Sequence, residues 1–169
     1  MILSDRTISH YLDHDRGLEI TPIERREQIQ PSSVDLRLDC DIVNINSRRS
    51  QTAEEIEFYP GQFYLASTLE TVTLPDNLCG ILKGRSSIGR LGIVPITAGW
   101  VDAGFHGQLT LEVVNFGPSP VTLSAGTRIC QLVLMHMDMS ARVPYDEKAD
   151  QKYHGQTGPT ESRLEELNT

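Results

Sequence analysis

A succession of short segments with the pattern of β-strands, joined by turn residues, limits the fold class more than any other feature of this chain. These segments are Gln62–Thr68, Glu70–Leu74, Leu78–Lys83, Gln108–Val114, Val121–Leu123 and Ile129–Met137. Gly, Pro or Asn residues separate several of them, as in the turn Pro75-Asp76-Asn77. Short strands at such close spacing, with almost no helical periodicity between them, predict an all-β sandwich or barrel.

One short helix is predicted near the N-terminus. Ser4 is a suitable N-cap, because its hydroxyl can accept a hydrogen bond from the first turn. Ile8, Tyr11 and Leu12 then fall on one helical face. Gly17 is expected to end this segment, which therefore packs on the body of the protein.

A further strand and a loop follow this helix. The segment Val34–Leu38 alternates apolar residues with Asp35 and Arg37, which predicts a strand. Exposure to water explains both charges most simply, and an oligomer contact is the alternative. The segment from Ser47 to Glu57 is polar and charged, so it predicts a loop.

The overall charge and the cysteine content exclude several classes of protein. The 169 residues suffice for one domain with a core, and the formal net charge of −8 argues against a general nucleic-acid or membrane-surface binder. No apolar run is long enough to cross a bilayer, and no signal peptide is expected. Three widely spaced cysteines indicate reduced thiols and a cytoplasmic protein.

The character of the chain changes near residue 140. We predict a β-domain over residues 1–140 and a C-terminal tail over residues 141–169. The tail has few aliphatic residues, and by composition alone this favours disorder. Its two tyrosines, Lys152 and Gln156 are unusual in such a segment and would suit a lid that folds over a ligand.

The stretch from Gly84 to Glu112 is dense in groups that suit a polyphosphate. It supplies guanidinium groups, hydroxyls and a flexible backbone at Arg85, Ser86, Ser87, Gly89 and Arg90. Guanidinium forks match phosphate oxygens, hydroxyls donate to them, and glycine lets the backbone approach closely. The spacing is not that of a P-loop, so these residues indicate a phosphate cradle of another kind.

Two carboxylates in this stretch are candidates for chemistry. Strand alternation places Glu112 on the face opposite Leu111 and Val113. Partial shielding from water would suit Glu112 to proton transfer, and pairing with an arginine on a solvent face is the open alternative. Asp102 lies in an Asp-x-Gly sequence, which suits either a structural turn or a contact with a nucleotide sugar or an attacking water.

Gln131 interrupts the apolar run Ile129–Leu134, so its amide must bond either to backbone or to a ligand. The histidines and cysteines show no ligand spacing, and a zinc site is therefore not expected. The residues alone thus indicate an all-β cytosolic domain with an anionic-ligand site and a candidate acid/base glutamate.

Several of these stretches together resemble the dCTP deaminase family of the dUTPase-like superfamily. The likeness runs from MILSD and QPSSVDLRL through GRSSIGRLG and TAGWVDAGFHGQLTLE to ICQLV and PYDEKADQKYHGQTG. It implies a dUTPase-like distorted β-barrel or jelly roll with a short N-terminal helix. It also implies a homotrimer with active sites between subunits, and a tail that closes over the nucleotide.

The resemblance further implies roles for individual residues. Glu112 would be the catalytic acid/base, Ser86 and Arg90 would position water and polarise the base, and Asp102 would meet the deoxyribose. The other nucleotide contacts would be Arg85, Ser87, Ile88, Gly89, Thr110, Leu111, Gln131, Tyr145, Lys152 and Gln156. Magnesium would accompany the triphosphate, whereas deamination would proceed without zinc. Feedback inhibition by dTTP is also implied.

Gly99-Trp100 occupies the position of a His-Arg pair that is common in members that only deaminate. The chain is therefore more similar to the bifunctional members, which convert dCTP to dUMP and pyrophosphate and supply dUMP for thymidylate synthesis. The alternatives are a deaminase that gives dUTP and ammonia, a dUTPase only, and a non-catalytic nucleotide-binding module. Product analysis with dCTP distinguishes them.

Overall fold

Strands are the main secondary structure of the computed structural model, which describes residues 1–14, 16–96 and 99–164. In chain order they are β1 (Glu19–Thr21), β2 (Ile29–Gln30), β3 (Ser33–Asn44), β4 (Arg49–Thr52), β5 (Glu55–Phe58), β6 (Phe63–Thr73), β7 (Leu78–Gly84), β8 (Ile93–Ile96), β9 (Trp100–Val101), β10 (His106–Asn115), β11 (Val121–Ser124) and β12 (Arg128–His136). The helices are α1 (Asp5–Asp13), α2 (Arg25–Gln28) and α3 (Ser86–Gly89), followed by a 3-10 turn at Tyr145–Glu147.

Antiparallel pairing joins most strands into one sheet, in the order β8-β10-β6-β3-β12-β7-β9. β1 also pairs with β6, β2 and β4 pair with β3, and β5 and β11 form a separate two-stranded sheet. Register shifts interrupt the pairs β3–β6, β10–β6 and β12–β3. Because such irregularities bend and twist strands, the sheet curls around the core. The prediction of a mainly β, barrel-like fold is confirmed.

The short N-terminal helix is also confirmed. Ser4 Oγ accepts a hydrogen bond from the backbone N–H of Thr7 at 3.4 Å, which caps α1. Ile8 and Tyr11 are buried against the core. Gly17 has a φ of +78°, a left-handed conformation that glycine adopts at little cost.

Alternation along β10 separates a core face from a second face that is available to a site. Leu109, Leu111 and Val113 are buried, whereas Thr110 and Glu112 are half-buried on the opposite face. Each buried aliphatic side chain stabilises the fold by about 1.5–3 kcal/mol. The core therefore fixes the direction in which the two polar side chains point.

The segment from Ser47 to Glu57 is not a loop, contrary to the prediction. It contains β4 and most of β5, and Ile56 in β5 is fully buried. All four residues of β4 are exposed. An edge strand whose two faces are both exposed to water needs no alternation of apolar residues, so the polar composition of β4 did not indicate a strand. The two strands predicted between residues 62 and 74 form one continuous strand, β6.

The charges of Asp35 and Arg37 are paired within the chain rather than exposed. Asp35 is 1% exposed, and its Oδ2 lies 3.1 Å from Arg85 Nε. Arg37 Nε lies 2.6 Å from Oε1 of the fully buried Glu70. Burial is tolerable because each charge meets an opposite one. The predicted exposure is wrong for Asp35 and holds only in part for Arg37, while the oligomer contact stays a prediction.

Parts of two predicted features lie outside the described residues. They are Thr97 and Ala98 of the TAGW motif and residues 165–169 of the tail. Within the described ranges, no helix is long and apolar enough to cross a membrane. Cys40, Cys79 and Cys130 are free thiols.

Candidate active site

A pocket of about 680 Å³ lies between the curled sheet and the C-terminal tail. Apolar side chains such as Phe63, Leu65 and Phe105 form part of its wall. Five of the predicted site residues also line it, namely Asp102, Thr110, Glu112, Tyr145 and Gln156. A concave, largely apolar site with a few converging polar groups is typical of small-ligand binding.

Glu112 lies at a position of β10 that is paired on both sides. It lies opposite Leu65 of β6 and Ile96 of β8. Within the described residues, β8 pairs with β10 from Glu112 to Asn115. Glu112 is half-buried and lines the pocket. Its role in proton transfer, and the alternative of a pair with an arginine, stay predictions.

Asp102 begins a tight turn beside this strand. Its backbone carbonyl accepts a hydrogen bond from Phe105 N at 3.2 Å, and Gly104 has a φ of +81° at the third position of the turn. The Asp102 carboxylate is exposed and accepts a hydrogen bond from Trp100 Nε1 at 3.1 Å. The turn thus explains the Asp-x-Gly sequence, and the side chain still points to the pocket.

The C-terminal tail forms the opposite side of the pocket. Tyr145 N donates to Ala103 O at 2.7 Å, which holds the 3-10 turn against the Asp102 turn. The Tyr145 hydroxyl accepts from the backbone N–H groups of Lys152 and Tyr153 at 3.3 and 3.0 Å. Lys152 is half-buried and is not among the pocket-lining residues. Tyr145 therefore organises the tail as well as the pocket wall.

Gln156 presents an unsatisfied acceptor in this wall. Its Nε2 donates to the carbonyl of Gln108 at 2.7 Å, and its Oε1 is buried without a hydrogen-bond partner among the described residues. A carbonyl can only accept, so the amide orientation is fixed by this contact.

The predicted phosphate cradle is not part of the same pocket. Its members at 85–90 and Gln131 are absent from the described residues that line it. Ser86, Ser87 and Arg90 are exposed, whereas the side chain of Ile88 packs in the core. Leu111 likewise has its side chain in the core, so that only its backbone could meet a ligand. The predicted site residues therefore fall into two groups.

Arg85 is tied to the strands beside it. Its Nε lies 3.1 Å from Asp35 Oδ2, and its Nη1 donates to Arg128 O at 3.0 Å. Burial raises the pKa of the Asp35 carboxyl, an effect that the neighbouring Arg85 and Arg128 oppose. Gln131, half-buried on β12, pairs with Asp35 of β3 and Lys83 of β7. Arg85 is thus held in a fixed place at the end of β7.

Sequence reasoning gave no role to Phe105 and Thr160, which line the pocket, or to Gln108, which contacts the tail. Tyr153, one of the two tail tyrosines that suited a lid, and Trp100 also line the pocket. Phe105, the aromatic residue directly after the Asp-x-Gly turn, gave a signal in the sequence. The position of Thr160 gave none, because it depends on how the tail folds back onto the sheet.

No group of three or more His, Cys, Asp or Glu side chains is arranged to hold a metal ion in the part of the chain that the structure describes. A magnesium ion bound through the oxygens of a triphosphate fits this arrangement, since such an ion needs few protein ligands.

The curled sheet with a pocket under its tail defines a dUTPase-like fold. It is similar to the dUTPase of EIAV, with a TM-score of 0.51 and 21% identity over 78% of this chain and 94% of that one. It is also similar to 2'-deoxycytidine 5'-triphosphate deaminase from Agrobacterium tumefaciens, with a TM-score of 0.68 and 22% identity. That match covers 80% of this chain, which spans about half (48%) of the solved structure.

Within this fold, the chain belongs to the dCTP deaminase-like family, whose model matches residues 2–137. It is 46% identical to a protein of Dictyoglomus thermophilum named dCTP deaminase, dUMP-forming. The alignment covers 97% of this chain and 95% of that relative. The family resemblance drawn from the motifs is therefore confirmed.

Proposed function

We propose that this protein deaminates dCTP and then releases pyrophosphate, so that the product is dUMP. The observation that carries the proposal is the meeting of Glu112, Asp102, Tyr145 and Gln156 in one pocket beneath the tail. The close identity to a relative named dCTP deaminase, dUMP-forming, supports the same reaction. The dUMP would supply thymidylate synthesis in the cytoplasm.

Glu112 performs the proton transfers of the first step. It takes a proton from a water molecule that attacks C4 of the cytosine, and it delivers that proton to N3. Glu112 then moves a second proton from the new C4 hydroxyl to the amino group, so that the C4–N bond breaks, a C4=O bond forms and ammonia leaves. A half-buried carboxylate on a rigid strand suits this role, because its position is fixed and water is partly excluded. Ser86 and Arg90, which lie outside the pocket of their own subunit, position the water and polarise the ring from a neighbouring subunit.

Asp102 serves the second step. It orients a water molecule toward the α-phosphorus, and the bond from that phosphorus to the bridging oxygen of the β-phosphate breaks. Pyrophosphate leaves, and a magnesium ion bound to its oxygens would balance its charge. The hydrogen bond from Trp100 Nε1 holds one carboxylate oxygen of Asp102, and the other remains available for the sugar or the water.

The charge of the pocket supports a site shared between subunits of a homotrimer. Among the described residues that line it are the carboxylates of Asp102, Glu112 and Glu161, but no Lys or Arg. A triphosphate bound there needs cations from elsewhere. Arg85 and Arg90 of a neighbouring subunit would supply them, together with Lys152 of the closing tail.

The decisive test is product analysis after the purified protein is mixed with dCTP and magnesium. Release of ammonia, dUMP and pyrophosphate in equal amounts supports the proposal. Ammonia with dUTP instead identifies a deaminase that stops after the first step. Pyrophosphate from dUTP without ammonia from dCTP identifies a dUTPase only, and binding with neither product identifies a nucleotide-binding module.

Metal analysis accompanies the same assay, since the proposal includes deamination without zinc. Ammonia release that persists after zinc is removed, with magnesium present, supports it. Stoichiometric zinc whose removal abolishes ammonia release contradicts it. Adding dTTP to the assay tests the feedback inhibition that the family resemblance implies.

A further inference from the structure

We propose that Gln108 is a positioning residue: its side-chain amide clamps the C-terminal tail onto β10 and so holds Gln156 in the nucleotide pocket. This inference rests on the proposed function, because it concerns the same pocket. It does not follow from the family motifs, which gave Gln108 no role.

The tail contacts β10 at the residues that precede Thr110. Gly155 N donates to His106 O at 2.7 Å, and Gln108 N donates to Gln156 O at 3.0 Å. Gly107 and Gln156 form a parallel bridge between these two contacts. The tail thus adds a short strand-like segment to the sheet, next to the pocket.

Close approach at this point requires Gly107. A Cβ atom built there would lie 2.9 Å from Gln156 O, and the φ of Gly107 is +143°. Any side chain at this position would push the backbone of Gln156 away from β10, so the contact between the tail and β10 depends on Gly107.

The side chain of Gln108 adds a contact at each end of its amide. Its Nε2 donates to Asp39 Oδ2 at 2.9 Å, and its Oε1 accepts from Gly158 N at 2.6 Å. An ionised carboxylate only accepts and a backbone N–H only donates, so the two partners fix the amide orientation. A donor and an acceptor on the same side chain are therefore both used.

These contacts set the position of Gln156. The backbone N–H and carbonyl of Gln108 bond to the backbone carbonyl and the side-chain amide of Gln156, whereas the side chain of Gln108 holds Gly158, two residues further on. With Nε2 of Gln156 directed at Gln108, its Oε1 is buried and has no hydrogen-bond partner among the residues that the structure describes.

Hydrogen exchange of residues 155–160 in the ligand-free protein tests the clamp without any need for activity. We expect Gln108→Ala to speed exchange there about tenfold, from the loss of hydrogen bonds that include one to a charged group. The matched control is Gln51→Ala, which alters an exposed glutamine on β4. Unchanged exchange in the Gln108→Ala variant would overturn the proposal.

A rescue experiment separates clamping from general damage. Gln108→Glu places a carboxylate beside that of Asp39, so the tail should open at least as far as in Gln108→Ala. Adding Asp39→Asn provides an amide donor for the introduced carboxylate, and slow exchange should return. Failure of the double variant to recover, with an unchanged thermal midpoint, would contradict the proposed contact.

Kinetics then connect the clamp to Gln156. We expect Gln108→Ala to raise KM for dCTP about tenfold with little change in kcat, since it weakens binding in all states alike. The effect should largely vanish in a Gln156→Ala background, because one residue acts through the other. A kcat loss at constant KM, or full additivity, would refute this link. Absence of activity in the wild-type protein would refute the proposed function and leave the exchange result standing.

Discussion

The carboxylate of Asp35 on β3 and the guanidinium of Arg85 after β7 lie 3.1 Å apart, although β12 separates their strands in the sheet. Arg128 Nη1 approaches the same carboxylate oxygen at 3.4 Å. A buried charge thus fixes an arginine that we assign to the nucleotide triphosphate. The pairing links the architecture of the sheet to the chemistry at its surface.

The stability of the protein should depend on the titration of Asp35. Burial raises the pKa of this carboxyl above 3.8, so the native protein holds the proton to a higher pH than the unfolded chain. Its contribution to stability is then greatest below pH 3.8 and is lost as the pH rises through the native pKa. We expect the thermal midpoint of Asp35→Asn, measured relative to that of the wild type, to rise as the pH rises from about 3.5 to about 7. Parallel midpoint curves would show that the titration does not contribute.

Glu70 should be one of the most sensitive core positions. It is fully buried and accepts hydrogen bonds from Arg37 N, Arg37 Nε and Gln28 Nε2 at 2.6 to 2.8 Å. Glu70→Ala leaves these donors unpaired, so we expect the free energy of unfolding to fall by about 3–5 kcal/mol. Urea denaturation measures the change, with the exposed Glu54→Ala as control. A loss no larger than that of the control would mean that the network contributes little.

Replacement of Glu112 should separate binding from chemistry. Glu112→Gln keeps the shape of the side chain and removes its capacity to carry a proton. We expect dCTP to bind as in the wild type, while ammonia release falls by about 10²–10⁴-fold. Calorimetry and an ammonia assay measure the two effects. Glu55→Gln, an exposed glutamate on β5 outside the pocket, is the matched control and should retain activity. Normal turnover by Glu112→Gln would remove Glu112 from the mechanism.

Mixed oligomers should recover activity if subunits share the site. Arg90→Ala and Glu112→Gln should each be inactive, and Arg90 is exposed outside the pocket that contains Glu112. If one subunit supplies Arg90 and another Glu112, random mixing in equal amounts restores about a quarter of the wild-type activity. The variants are unfolded, mixed and refolded together, and ammonia release is then assayed. Recovery no greater than that of the two variants refolded separately would place both residues in one subunit's site.

The alternating strands and the capped helix could be predicted because the periodicity of the residues themselves specifies them. Leu109, Leu111 and Val113 identified one face of β10 as core, and Ser4 identified the start of α1. β4 could not be predicted in this way, because an exposed edge strand carries no apolar pattern. The burial of Asp35 was missed for a different reason, because its partners Arg85 and Arg128 come from distant strands.

Local order in the sequence determined the strands, the helix cap, the Asp102 turn and the motifs that identify the family, because each depends on neighbouring residues. The tertiary structure alone decided which of the marked residues meet. It brought Gln156 against Gln108 and Tyr145 against the Asp102 turn, while it left Arg90 outside their pocket. Those distances depend on how the sheet curls and where the tail returns, and contacts between residues so far apart in the chain leave no periodic trace in the sequence.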